Sequence, residues 1–271
     1  MQYLGEPSGY NMPCYQNSKF TVPLENVKAV LFDLFDTLIL IDDNHECFTN
    51  SLLKLHSSLF KNGFLCDFSD FESSYVKVAE QIEAATATNL REPHFKIYVS
   101  LTLSNLGYRV SPEDKAINEG VRNFCREFSC YVQLDPQAVT VLEFLQEKYK
   151  TGLISNLSFS ECAWDLLKTN NLKNLFDFII ISGDVNIRKP NPKIFKIALD
   201  SLGVPACEAI FIGDTLETDI EGAINTGMIP IHINRRKNKY IGNLTAKSFL
   251  TINKLEELMP YLNEVEPPIF C

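Results

Sequence analysis

Acidic residues follow two apolar segments that lie far apart in the sequence. Asp33 ends an apolar stretch at residues 27–34, and Asp214 follows a second stretch at residues 209–213, with Asp219 shortly after it. A carboxylate at the end of a buried strand is costly to remove from water unless a cation lies beside it. The pattern therefore predicts that the three acids share one divalent metal site.

Other reactive side chains follow further apolar segments. Ser155 and Asn156 come at the end of the segment at residues 151–155, and Lys189 lies between Arg188 and a Pro-Asn-Pro sequence. In open parallel sheets, ligands bind beyond the carboxyl ends of the strands. A single Asp or Ser after a strand is most often an ordinary helix cap. Several such residues at one crevice favour an active site instead.

A first apolar run occupies residues 27–34, and the second half of the chain alternates between short apolar runs and amphipathic stretches. The later apolar runs occupy residues 151–155, 178–182, 209–213 and 229–233, and the amphipathic stretches occupy residues 160–169, 192–202 and 217–226. This alternation is typical of right-handed βαβ units. We therefore predict an α/β fold with a doubly wound parallel sheet.

More than a hundred residues separate the first two predicted strands, and they have apolar residues at helical spacing. The expected helices cover residues 47–60, 68–88, 92–106 and 112–128. We interpret residues 41–133 as an inserted helical cap and residues 26–40 and 134–271 as the α/β core. Residues 1–25 show little periodicity and are expected to form an irregular extension.

Composition restricts the classes of function. The formal charge of −9 argues against unaided nucleic-acid binding, and no apolar run is long enough to span a membrane. The eight cysteines form no CxxC pair, and the first residues have no secretory signal pattern, so we expect reduced thiols and a cytoplasmic location. No pattern indicates an oligomeric state.

The reactive residues match, in order and context, the four motifs of the haloacid dehalogenase superfamily of hydrolases. The sequence resembles this family over about residues 27–235. Asp33-Leu34-Phe35-Asp36-Thr37 is similar to the first motif, Ser155 to the second, Lys189 with its prolines to the third, and Asp214 through Asp219 to the fourth. The resemblance implies a Rossmann-like core, and the helical insertion after the first motif is similar to the family's C1 cap.

The resemblance implies phosphatase chemistry centred on Asp33. This carboxylate would attack phosphorus to form an aspartyl phosphate, which water would then hydrolyse. Mg²⁺, which prefers hard oxygen ligands, would be held by Asp33, the carbonyl of Phe35 and Asp214, with Asp219 binding directly or through water. The substrate implied is a small phosphorylated metabolite.

The remaining motif residues would bind the phosphoryl group. Lys189 would contact its oxygens and keep Asp33 ionised, since a nearby cation lowers a carboxylate pKa. Ser155 would donate a hydrogen bond, and Asn156 would orient the substrate or the loop. The backbone amides of Leu34 and Phe35 would supply further donors.

One position departs from the family pattern. Family phosphatases usually have a second Asp two residues after the nucleophile, where it protonates the leaving oxygen and later activates water; here the residue is Phe35. General acid–base catalysis contributes about 10²- to 10⁴-fold, so turnover of unactivated esters should fall by a factor of that order.

Phe35 leaves two alternative functions open. A non-acidic residue at this position resembles the 2-haloacid dehalogenases, which need no metal, but Asp214 and Asp219 concentrate negative charge that is explained best by Mg²⁺. A haloacid carboxylate would also favour an Arg shortly after the first motif, where this chain has Asp42 and Glu46. The other alternative is a hydrolase-like fold that is kept for binding or regulation.

Overall fold

The computed structural model describes residues 26–42, 46–235 and 249–263, so the extension expected at residues 1–25 lies outside the described part. The strands are β1 (Ala29–Phe32), β2 (Ile39–Ile41), β3 (Val132–Leu134), β4 (Lys150–Ser155), β5 (Phe178–Ile181), β6 (Ala209–Gly213), β7 (Ile229–Ile233) and β8 (Leu250–Ile252). Six of them form a parallel sheet in the order β5-β4-β1-β6-β7-β8. The predicted doubly wound parallel sheet is confirmed.

Helices lie on both faces of this sheet and in the insertion between β2 and β3. They are α1 (Cys47–Lys61), α2 (Phe68–Asn89), α3 (Phe95–Asn105), α4 (Lys115–Phe128), α5 (Ala138–Gln146), α6 (Ser160–Thr169), α7 (Ser182–Val185), α8 (Pro192–Leu202), α9 (Glu221–Thr226) and α10 (Leu258–Asn263). In β1, Val30 and Phe32 pack with α5 and α6, whereas Ala29 and Leu31 pack with α8. This alternation buries the central strand on both sides, as expected for a parallel sheet.

The helices α1 to α4 lie in the chain between two short strands that sequence analysis missed. Strands β2 and β3 pair antiparallel, with Ile39 opposite Leu134 and Ile41 opposite Val132. Arg235, at the end of β7, donates to the carbonyl of Thr37 at 3.0 Å and to Asp135 Oδ2 at 2.5 Å. The ladder at the base of the helical insertion is therefore tied to the large sheet.

An aromatic cluster joins the insertion to the rest of the fold. The ring of Phe159, in the loop after β4, lies 5.6 Å from Phe95, 5.1 Å from Phe124 and 5.2 Å from Phe128, measured between ring centroids. All four rings are buried. Burial of aromatic surface makes a large favourable contribution to packing, so the insertion is held against the loop that follows β4.

Charged side chains add to this contact. Glu161 of α6 lies 3.2 Å from His94 Nε2 and 2.9 Å from Lys96 Nζ, at the start of α3. Glu92 is buried, accepts from Ser182 Oγ at 3.3 Å and lies 3.4 Å from Arg188 Nε. The segment that leads into α3 thus contacts the residue directly before Lys189.

Within the described ranges, no helix combines the length and apolar character needed to cross a membrane.

Candidate active site

The carboxyl ends of three neighbouring strands place the predicted residues at one edge of the sheet. Phe32 of β1 lies opposite Leu153 of β4 and Ile212 of β6. Asp33 continues β1, and its amide donates to the carbonyl of Ile212 at 2.8 Å. Because the strands are in this register, the side chains that follow them converge.

Three carboxylates meet at this edge. Asp33, Asp214 and Asp219 each offer an oxygen that lies within 4.8 Å of the oxygens of the other two. Asp33 is 7% exposed and Asp219 is 1% exposed. Three hard oxygen donors at this spacing match what Mg²⁺ requires, so the residues present fit the metal that the sequence predicted.

Lys189 supplies the positive charge within the cluster. Its Nζ lies 2.5 Å from Asp33 Oδ1 and 2.7 Å from Asp219 Oδ1, and it donates to the carbonyl of Ile154 at 2.8 Å. The side chain is buried and passes the ring of Phe211, whose centroid lies 5.2 Å from Nζ. All three ammonium hydrogens therefore have protein acceptors in this structure.

The charges of the cluster do not balance. Burial raises the pKa of Asp33, with Asp219 and Asp214 adding to the rise and Lys189 opposing it. Burial, together with the charges of Asp219 and Asp36, raises the pKa of Asp214 to about 6. Burial acts to lower the pKa of Lys189, but Asp219 and Asp33 outweigh it and raise the pKa. One ammonium among three carboxylates leaves room for a further cation.

The first turn of the helix that follows β6 positions Asp219. This turn is π-helical, at Leu216–Ile220, and runs directly into α9, so the helix predicted at residues 217–226 is present with a wider first turn. Asp219 Oδ2 accepts from the amide of Thr215 at 3.0 Å. The side chain packs against the α-carbon of Gly213 so closely that a β-carbon there would overlap it. Asp219 thus lies in the first turn of the helix that follows β6, as expected, and is a buried member of the cluster.

Asn156 holds the loop that carries Lys189. Its Nδ2 donates to the carbonyl of Lys189 at 3.0 Å, and its Oδ1 accepts from the amide of Lys189 at 2.8 Å. The side-chain amide of Asn156 therefore pairs with both backbone polar groups of Lys189. Of the two roles predicted for Asn156, this arrangement provides loop positioning, and substrate contact stays a prediction.

Ser155, like Thr37 of the first motif, has a side-chain hydroxyl without a protein hydrogen-bond partner in the described part of the chain. Its hydroxyl is buried at the end of β4 and makes no hydrogen bond. A buried hydroxyl without a partner costs free energy, so it marks a place where a ligand oxygen would be favourable.

Phe35 extends from the nucleophile loop toward the helical insertion. Its ring meets Phe128 of α4 edge to face, with 5.9 Å between centroids. The next residue, Asp36, has a left-handed backbone with φ of 51°, and its Oδ1 accepts from the amide of Ile41 at 3.2 Å. The residue after Phe35 is therefore held by the β2 turn.

Sequence analysis missed two residues that support the site. His232 lies opposite Gly213 in β7, and its Nε2–H donates to the carbonyl of Asp214 at 3.0 Å. Burial lowers the pKa of His232, which favours the neutral ring. Arg235 is the other, through its contact with Thr37. The alternation of β7 gave a signal for His232, since it places a polar residue between apolar ones at the strand end.

The carboxyl edge of this parallel α/β sheet thus brings a buried lysine together with three acids. The family model for haloacid dehalogenase-like hydrolases matches residues 27–227, and the chain belongs to this family. The resemblance found in the sequence is thereby confirmed, and the chain is a hydrolase.

Two curated relatives and one solved structure are similar to this chain. A glyceraldehyde 3-phosphate phosphatase of Methanopyrus kandleri is 30% identical over 213 residues, covering 78% of this chain and 85% of the relative. The pyrimidine 5'-nucleotidase YjjG of Escherichia coli is 29% identical over 197 residues, covering 71% and 82%. A 2-haloacid dehalogenase structure from Pseudomonas syringae covers 88% of this chain and 99% of its own, with a TM-score of 0.63 and 23% identity, and shows the shared fold.

Proposed function

We propose that this protein is a Mg²⁺-dependent phosphohydrolase that acts on a small phosphorylated metabolite through an aspartyl phosphate on Asp33. The observation that carries the proposal is the convergence of Asp33, Asp214 and Asp219 around the single ammonium of Lys189. Relatives named as phosphatases support the same reaction class. The cytoplasmic location remains a prediction from the cysteine pattern.

In the first step, an oxygen of Asp33 forms a bond to phosphorus while the bond from phosphorus to the leaving oxygen breaks. Lys189 favours the ionised form of Asp33 and holds this side chain in place through the contact at 2.5 Å. The hydroxyl of Ser155 donates to a phosphoryl oxygen, and the amides of Leu34 and Phe35 do the same. Asp33, Asp214, Asp219 and the Phe35 carbonyl would hold Mg²⁺, which neutralises charge on the phosphoryl group when it is bound.

In the second step, water attacks phosphorus, and the bond between phosphorus and Asp33 breaks. The electron pair returns to the Asp33 carboxylate, and inorganic phosphate leaves. We further propose that residues 41–133 act as a cap, with the contacts of Phe159 and Glu161 holding the cap over the crevice. A cap at this place limits access of water to the reacting groups.

The test is release of phosphate from acetyl phosphate and 4-nitrophenyl phosphate, with Mg²⁺ and with a chelator. We expect activity that requires Mg²⁺, that is absent in Asp33→Asn, and that is unchanged in the matched surface variant Asp200→Asn, since Asp200 is exposed on α8. Acid-quenched protein should carry covalent phosphate in the wild type and none in Asp33→Asn. Folded wild-type protein without any phosphate release would contradict the proposal.

The dehalogenase alternative is favoured by one observation, the apolar Phe35 next to the nucleophile. It predicts release of halide from 2-chloropropionate in the presence of a chelator. The three clustered carboxylates argue against it, because a reaction without metal gives them no counter-charge beyond Lys189. Halide release without metal, combined with no phosphate release, would replace the phosphatase proposal.

A further inference from the structure

The leaving oxygen of the first step sets a chemical requirement. When Asp33 binds phosphorus, the leaving oxygen departs with the electron pair of the broken bond. An aliphatic alkoxide is a very strong base, so it needs a proton from a general acid as the bond breaks, whereas a carboxylate or phenolate does not. The groups around Asp33 therefore decide which leaving groups are possible.

Lys189 has no proton to offer. Its three ammonium hydrogens are directed to Asp33 Oδ1, Asp219 Oδ1 and the carbonyl of Ile154, at 2.5, 2.7 and 2.8 Å. Turning one of them toward a leaving group would break a buried ion pair or leave a buried carbonyl unpaired.

The acids beside Asp33 are also committed. Among the described residues, the charged groups that act on Asp33 are Lys189, Asp219 and Asp214. Asp219 uses one oxygen for Lys189 and the other for the amide of Thr215. Asp214 faces the other two carboxylates as part of the oxygen donor set.

Aromatic side chains lie where the nucleophile loop meets the insertion. Phe35 packs on Phe128, which in turn lies 6.4 Å from Phe124 in a stacked arrangement and 5.2 Å from Phe159. A hydrocarbon ring two residues after Asp33 can neither give nor take a proton. It offers a flat apolar surface on which a planar group packs well.

We propose that the substrate is a phosphate whose leaving oxygen is conjugated, that is, an acyl, enol or aryl phosphate. Such an oxygen departs as a stabilised anion: a carboxylic acid has a pKa of about 4 and a phenol about 10. Conjugated groups are also planar, which suits packing on the partly exposed ring of Phe35. This inference rests on the proposed function and specifies its substrate class.

The experiment measures kcat/KM for a series of leaving groups: acetyl, 4-nitrophenyl, phenyl and ethyl phosphate, all with Mg²⁺. We expect a steep fall in the wild type as the leaving group becomes more basic. Phe35→Asp should raise kcat/KM for ethyl phosphate by about 10²- to 10⁴-fold, the range for a general acid, with a much smaller change for acetyl phosphate. In Phe35→Asp, kcat/KM should therefore depend only weakly on the basicity of the leaving group.

Two control variants isolate the cause. Phe35→Asn removes the ring as Phe35→Asp does but has no acidic proton, so it should leave the series steep. Asp36→Asn tests the neighbouring carboxylate, which is bound to the amide of Ile41, and should leave the wild-type slope unchanged. Thermal unfolding of each variant checks that it folds, and the wild-type slope is informative even where a variant does not.

The outcomes separate this inference from the proposed function. Phosphate release with a shallow wild-type series overturns the substrate class and leaves the phosphohydrolase in place. A steeper series in Asp36→Asn, or equal gains on ethyl phosphate in Phe35→Asn and Phe35→Asp, also overturns it. No release from any member, including acetyl phosphate, overturns both.

Discussion

The Nζ atom of Lys189 lies 2.5 Å from Oδ1 of Asp33 although 156 residues separate them in the chain. Both side chains are buried, and the ion pair links the loop after β5 to the end of β1. The pair is only part of a larger charge cluster, because Asp219 shares the same ammonium. This arrangement makes the stability of the protein depend on the residues that we assign to the reaction.

Removal of the lysine charge should therefore destabilise the fold. We expect Lys189→Met to lower the free energy of unfolding by about 3–5 kcal/mol, because it leaves buried carboxylates without a partner. The measurement is denaturant unfolding in the presence of a chelator. Adding Asp33→Asn to this variant should restore part of the loss. Lys193→Met, an exposed change on α8, is the matched control and should shift stability by no more than about 0.5 kcal/mol. Equal effects of the two lysine variants would contradict the ion-pair interpretation.

Removal of a hydroxyl from Ser155 and from Thr151, both on β4, should have opposite effects on kcat and on stability. Ser155→Ala removes a hydroxyl without a partner, so it should preserve stability while lowering kcat by about 10²-fold or more, as loss of a transition-state donor does. Thr151→Val removes a hydroxyl that donates to the carbonyl of Leu175 at 2.8 Å. It should cost about 1 kcal/mol of stability and leave kcat unchanged. Thermal unfolding and steady-state kinetics on both variants check this, and an active Ser155→Ala protein would remove Ser155 from the site.

Metal binding should be visible without turnover. A ligand that binds only the folded state stabilises it by about 2.7 kcal/mol at 100 times its Kd. We expect Mg²⁺ to raise the unfolding temperature of the wild type and to have little effect on Asp214→Asn. Asp200→Asn, the surface control, should keep the wild-type response. If Mg²⁺ raised the unfolding temperature of Asp214→Asn as much as that of the wild type, Asp214 would not be a ligand.

Glu161 predicts a dependence of stability on acid pH. Burial raises the pKa of Glu161, but the hydrogen bonds from His94 and Lys96 outweigh it and lower the pKa from 4.5 to about 2. Since the folded-state pKa is the lower one, this contribution is fully present above pH 4.5 and is lost as the pH falls toward 2. The difference in unfolding free energy between wild type and Glu161→Gln should therefore be largest near neutral pH and shrink over this window. A difference that does not change with pH would exclude the ion pairs as its source.

The sequence predicted the strands and helices whose apolar pattern extends over five or more residues. Strand β6 at residues 209–213 and helix α8 at residues 192–202 have the predicted bounds, because β6 is a continuous apolar run and the apolar residues of α8 recur at helical spacing. Strands β2 and β3 have three residues each, which is too short for a period to show. The motif residues were recognisable for the same reason that the strands were: each follows a clear apolar run.

The contacts among the site residues were not predictable from spacing. The amide of Asn156 binds the backbone of Lys189, and Arg235 reaches Thr37 across 198 positions. Such pairs depend on how the loops pack once the sheet has formed, and no local pattern encodes them. The π-helical geometry of residues 216–220 is another case, since the sequence pattern predicts a helix there but does not distinguish a π-helical first turn from an α-helical one.

The close approach of Asp219 to Gly213 ties two positions of the chain together for any attempt to redesign this enzyme. A library that varies residue 213 while keeping Asp219 would consist almost entirely of proteins with a displaced carboxylate, because even alanine brings an atom into the space that the aspartate fills. Engineering of new reactivity at this edge of the sheet must therefore start from simultaneous changes at both positions.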